Sequence, residues 1–74
     1  MKEYIPISCE LYDRLEETAI RKRTIILELF EEGKETRKRV KTIIRDLISV
    51  NREEFAVLEN GEKIRLDQIF KVYS

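Results

Sequence analysis

From Thr24 to Tyr73 the chain offers a succession of apolar, largely β-branched runs separated by little more than turn residues. That spacing constrains the fold more than any other feature. Thr24-Ile-Ile-Leu-Glu-Leu-Phe30 alternates Ile25, Leu27 and Leu29 against Thr24, Ile26, Glu28 and Phe30, the period of two that marks a strand. Glu31, Glu32 and Gly33 form the next turn. Glu54–Glu59 and Glu62–Leu66 flank Asn60-Gly61, a pair suited to a two-residue type I′ hairpin because both of its central residues need positive φ. Asp67 and Gln68 interrupt the alternation, and Ile69–Tyr73 supplies a last short strand. Between these, Arg37–Ser49 is ambiguous. Val40, Ile43, Ile44, Leu47 and Ile48 also satisfy a helical period, but the β-branched run Val40, Thr42, Ile43 and Ile44 favours a strand. Five short strands in so few residues leave exposed edges unless the sheet curls, so a small five-stranded barrel of the SH3 or Sm-like kind is expected.

The N-terminal third reads differently. Pro6 fixes an extended entry and disfavours helix at Ile5. After Ser8 or Cys9, either of which could cap a helix, Leu11, Tyr12, Leu15 and Ala19 recur at three- and four-residue spacing and share a face that should cover the core. Glu10, Asp13, Glu16 and Glu17 fall on the opposite side of the wheel, interrupted only by Ile20. The expected architecture is therefore mostly β, with one N-terminal α-helix, in a single domain spanning residues 1–74.

Charge is neutral overall but unevenly placed. Fifteen basic residues balance fifteen acidic ones, leaving no net field toward nucleic acid or an acidic membrane. Residues 1–19 set Lys2 and Arg14 against Glu3, Glu10, Asp13, Glu16 and Glu17, whereas Arg21–Arg23 and Lys34–Lys41 are basic blocks. Acids in the first turns of a helix and bases at its end suit the helix dipole. Dipole compensation does not require the acids to continue along one arc as far as Glu17. Such an arc suits docking on a basic protein surface.

Catalytic machinery is not expected. With one cysteine and no histidine, Cys9 has neither a disulfide partner nor the usual base, and a zinc site of Cys and His ligands cannot be built. Cys9 is expected to be a small buried residue at the helix entrance. Adjacent carboxylates such as Glu16 and Glu17 do not face a common substrate. The two glycines, Gly33 and Gly61, are both accounted for by turns, which leaves no phosphate-binding loop, no cofactor and no metal. The chain lacks a long apolar span, and the lone cysteine fits a reducing, cytoplasmic setting. The tract Lys34, Arg37, Lys38, Arg39, Lys41 and Arg45, with Lys38, Arg39 and Lys41 foremost, could contact phosphates. In a chain that is 41% charged, a solvated strand face is the plainer reading. The aromatics are expected at the core or barrel rim rather than clustered as an RNA-binding sheet would have them.

Several segments in chain order carry a resemblance. They are Tyr4-Ile-Pro-Ile7, Cys9-Glu-Leu-Tyr-Asp-Arg-Leu-Glu16, the acidic-Gly turn Glu31-Glu-Gly33, Asp46-Leu47 ahead of Glu54-Phe55, and Arg65-Leu-Asp-Gln-Ile69. Taken together the chain resembles the Rho-binding antiterminator (Rof) family, and the family is extended where Arg37–Ser49 is ambiguous. The resemblance implies an Sm-like barrel with an N-terminal helix that binds the transcription terminator Rho, a ring-shaped RNA helicase, at its primary RNA-binding region and blocks RNA loading. It carries Tyr12, Asp13 and Glu16 over as partner contacts, to which the helical wheel adds Glu10 and Glu17. The family's contact loop before the third strand reads Val50-Asn-Arg-Glu53 here, which adds Asn51 and Arg52. The segment from Lys34 to Thr42 is longer and more basic than the family pattern. A monomer is expected, with Sm-like RNA binding through Lys34–Lys41 as the alternative function.

Overall fold

Ser8 sets the frame of the first element: its hydroxyl accepts the Leu11 N–H at 3.2 Å, and the helix α1 runs from there over Cys9–Arg21. The computed structural model describes residues 3–31, 33 and 35–73, so Lys2, Glu32 of the first turn and Lys34 at the head of the basic tract lie outside the described residues. After α1 come β1 (Thr24–Phe30), β2 (Arg37–Val50), β3 (Glu53–Leu58), β4 (Lys63–Arg65), a 3-10 turn (Leu66–Gln68) and β5 (Ile69–Tyr73). The ambiguous stretch is thus one long strand, and the β-branched run prevails over the helical period.

The strands form one antiparallel sheet in the order β4-β3-β2-β1-β5. Its two outer members, β4 and β5, are joined by Leu66–Gln68 alone. The four residue steps from Arg65 to Ile69 reach about 14 Å at full extension. A flat five-stranded sheet would hold its edges about 19 Å apart. The sheet must therefore curl, and the result is the small barrel expected. The bend lies in β2, which pairs with β1 over Arg37–Ile43 and with β3 over Ile44–Val50, with a register shift between Ile44 and Asp46. One extra residue, Arg45, bends the strand as a bulge does.

Inside the barrel, Ile25 and Leu27 of β1 meet Ile44, Leu58 and Leu66, and Leu15 of α1 joins them with no exposed surface. The helix ends on Lys22 in the left-handed conformation (φ 53°), a position usually given to glycine, and the Lys22 and Arg23 N–H groups return to the carbonyls of Ala19 and Thr18. A lysine there has a use. Its ammonium donates to the Arg45 carbonyl at 3.0 Å, tying the helix end to the bulge.

Two local expectations are corrected. Cys9 is exposed rather than buried; it precedes Leu11 by two residues and so points to the opposite side of the helix. The Asn60-Gly61 hairpin is not a two-residue type I′ turn. Only Gly61 has positive φ (88°), its N–H donates to the Leu58 carbonyl, and the Leu58 N–H donates to Glu62, which makes a longer loop closed by a glycine bulge. The Asn60 side chain accepts the Glu62 N–H instead of supplying a left-handed backbone. The two-residue turn with left-handed φ at both positions is Asn51-Arg52 (51° and 67°), between the directly paired Val50 and Glu53.

Candidate docking face

The N-terminal arm is placed by the far end of the chain. Arg65, 5% exposed, makes a two-pronged pair with Asp67, each contact 2.8 Å, and reaches Glu53 at 3.3 Å and the Glu3 carbonyl at 3.5 Å. Asp67 Oδ2, which accepts from Arg65, also takes the Ile5 N–H at 3.1 Å, and the Tyr4 ring lies under the Arg65 guanidinium, 5.6 Å from it, with its hydroxyl donating to Glu54 at 3.2 Å. The two end segments that carry the family resemblance are therefore one latch. It fixes the strand-like entry to α1 and so the direction in which the helix face points.

That latch leaves a titration signature. Burial first, then the charge and hydrogen bond of Glu54, push the Tyr4 phenol up from 10.0 to about 12. A pKa raised on folding adds stability below the ordinary value, and this is lost as pH climbs through the folded value. An ultraviolet titration of the three tyrosines should show one phenol ionising near pH 12. Tyr4→Phe should delete that step and flatten the fall in stability between pH 10 and about 12. Retention of the late step in the variant would assign it to another tyrosine.

On α1, Glu10, Asp13, Glu16 and Glu17 are all exposed, as the wheel requires. Glu17 faces Arg21 at 3.7 Å, a surface contact worth little. Among the described residues, no ion pair engages Glu10, Asp13 or Glu16. Tyr12 is half-buried beside this arc, and burial, with the charges of Glu54 and Glu16 behind it, raises its phenol pKa. The ring is thus held by the barrel while its edge borders the acids. Asn51 and Arg52 sit exposed at the β2–β3 turn, next to Glu53 and Glu54 of the latch. No side-chain bond joins them to the helix acids among the described residues, so they form a flanking element rather than part of the arc.

A second cluster departs from the sequence reading. Glu28, on the side of β1 away from Ile25, Leu27 and Leu29, is 7% exposed because Arg39 (3.1 Å), Arg37 (3.6 Å) and the Tyr73 hydroxyl (3.3 Å) close over its carboxylate. Arg37 also lies 3.6 Å from the centre of the Phe70 ring, and Phe70 meets Phe30 edge to face at 5.2 Å. The aromatics of β1 and β5 are therefore clustered on the outer surface together with part of the basic tract, and not confined to the core or rim. The register that does this, Phe30 opposite Arg37 and Glu28 opposite Arg39, follows from pairing β1 with β2 across the turn. Alternation along β1 already set Glu28 and Phe30 on one side; the missing signal was the tertiary partner.

A shallow groove lined by Ser8, Glu10, Leu11, Arg14, Phe70 and Lys71 runs between the helix and this cluster. Among the described residues no group of three or more His, Cys, Asp or Glu side chains is arranged to hold a metal ion. Among the described residues no helix is long and apolar enough to cross a membrane. No protein-family model matches the chain, and the curated proteins give no significant match.

Proposed function

We propose that the protein is a binding module, not an enzyme, that docks on the transcription terminator Rho through the acidic face of α1 and keeps RNA from loading. The observation that carries this reading is the row of exposed carboxylates on Glu10, Asp13 and Glu16, which no ion pair of the described residues engages, beside the half-buried Tyr12. A surface that binds RNA phosphates presents arginine and lysine, and a rigid arc of carboxylates answers that pattern without nucleic acid. The family resemblance supplies Rho as the protein that owns the basic surface. In this reading Tyr12 is the packing anchor, Asp13 and Glu16 pair with cations, Glu10 and Glu17 extend the field, and Asn51 and Arg52 add polar contacts from the neighbouring turn. The protein acts as a monomer in the cytoplasm, where Rho works.

Asp13→Lys tests this. The residue is exposed and makes no ion pair among the described residues, so the fold should melt as the wild type does. Retention of purified Rho should fall about a hundredfold, the scale expected when one partner of a desolvated charge pair is removed. Competing RNA should displace wild-type protein from Rho. Equal retention of Rho by the charge-reversed protein would remove the mechanism.

A further inference from the structure

We infer that the outer face of β5, β1 and the first half of β2 is a binding site for single-stranded nucleic acid, separate from the acidic helix face and independent of the reading given to it. Alternation and register put Ile26, Glu28 and Phe30 of β1 on this face, with their partners Lys41, Arg39 and Arg37 from β2 and Tyr73 and Lys71 from β5. The β5 register shifts opposite Glu28 and Leu29, which releases Phe70 from the ladder to lie against Phe30.

Packing does not account for this set. Phe30 and Phe70 remain 47% and 40% exposed, although each already touches the other and the Arg37 guanidinium. Among the described residues of these strands the face holds Arg37, Arg39, Lys41 and Lys71 against the carboxylate of Glu28, and that carboxylate is covered. Glu31 and Glu35 lie beyond it, in the β1–β2 connection. An excess of cations on strands about 4.8 Å apart is suited to a phosphate backbone. Aromatic rings at the same level are suited to bases, which stack on any π-face without regard to sequence.

The guanidinium groups add flat surfaces of their own. Arg37 lies on Phe70, and Arg39 sits 5.0 Å from the centre of the Tyr73 ring, while their side chains stay 46% and 65% exposed. A ring-backed guanidinium offers an incoming base a second plane to stack on and a phosphate a set of donors. Carboxylates alone would satisfy the cations but leave the phenylalanine faces in water, whereas every nucleotide brings a phosphate and a base together, so the paired cations and rings favour nucleic acid.

Fluorescence anisotropy with a labelled single-stranded RNA of about twelve nucleotides, the DNA equivalent and a duplex of the same sequence tests the site. Expected are binding of the single strands at low salt, affinity that falls as salt rises, and weaker binding of the duplex, whose bases are not free to stack. Phe70→Ala should weaken single-strand binding about tenfold, the loss of roughly one stacked base. Lys71→Glu should weaken it and reduce the salt dependence, whereas Asp13→Lys, on the helix, should leave it intact. Both patch positions are exposed, and a thermal melt of each variant separates lost binding from lost fold. Absence of binding at low salt, equal affinity for the duplex, indifference to Phe70→Ala in a folded protein, or stronger competition from an acidic peptide than from RNA would each overturn the proposal. Preference between the RNA and DNA strands decides which nucleic acid the site takes.

Discussion

Asp67→Ala should cost the protein about 3 kcal/mol, the lower end of the range for breaking a buried ion pair. A chain of 74 residues has roughly 4–11 kcal/mol to lose. The substitution removes both 2.8 Å contacts to Arg65 and the acceptor for the Ile5 N–H. It leaves a guanidinium that is 5% exposed with Glu53 and a long contact to the Glu3 carbonyl. The remaining partners set the estimate at the lower end. Urea unfolding followed by circular dichroism checks it, and a loss below about 1 kcal/mol would mean that the latch is ornamental to stability.

The same residue predicts a pH response. Burial acts to raise the Asp67 pKa, but the hydrogen bonds from Arg65 and the Ile5 N–H outweigh it and hold the carboxyl below its ordinary value. A depressed pKa contributes stability that is complete above the unfolded value and is lost as pH falls through the folded one. Acid should therefore weaken the wild type below the ordinary aspartate range. Asp67→Asn, already weaker at neutral pH, should lack that part of the decline.

What the chain disclosed in advance divides along the range of the interactions involved. The helix and the alternation of β1 depend on neighbours three or four residues away or fewer, and each was legible, while the cap was narrowed to Ser8 or Cys9 and proved to be Ser8. So was the long β2, once its β-branched residues were weighed against a competing helical period. The turns were harder because their conformation depends on what the flanking strands demand. Asn60-Gly61 has the composition of a type I′ turn, yet the register of β3 and β4 requires a longer loop there, and Asn51-Arg52 takes the strained pair of φ values without a glycine to announce it. The acidic arc could be drawn on a wheel; that no ion pair of the described residues engages Asp13 or Glu16 could not. Arg65 and Asp67 stood out as part of a family pattern, but their grip on Tyr4 and Ile5 spans most of the chain. Glu28 shows the same limit from the other side. Its place in the alternation set only its side of the strand, and two arginines from the next strand with a tyrosine from the last one covered it.

Leu15→Ala should have the larger effect on function as well as on stability. Leu15 is the helix's fully buried side chain, set among the barrel residues Ile25, Ile44 and Leu58. Truncating a leucine at such a site costs roughly 3–5 kcal/mol through lost transfer energy and the cavity left behind. In a domain of this size that lowers the melting temperature by roughly 15–30 °C. Ile20→Ala, on the same helix but 74% exposed, should shift it by no more than about 4 °C. The contrast matters for the acidic face because α1 packs on β2 and touches β5. Its two ends are held by polar contacts, at the latch and at the Lys22–Arg45 bond, and its middle turns by the Leu11, Leu15 and Ala19 stripe on the core, with Arg14 donating to the Val72 carbonyl at 3.4 Å. Asp13 and Glu16 lie on the same turn as Leu15, on its outer side, so a helix that loosens there loses the fixed spacing of its carboxylates before the barrel unfolds. Leu15→Ala protein, assayed below its own melting temperature, should bind Rho more weakly than the wild type although every acid is present. Wild-type affinity in that variant would show that the arc is assembled on the partner rather than preformed.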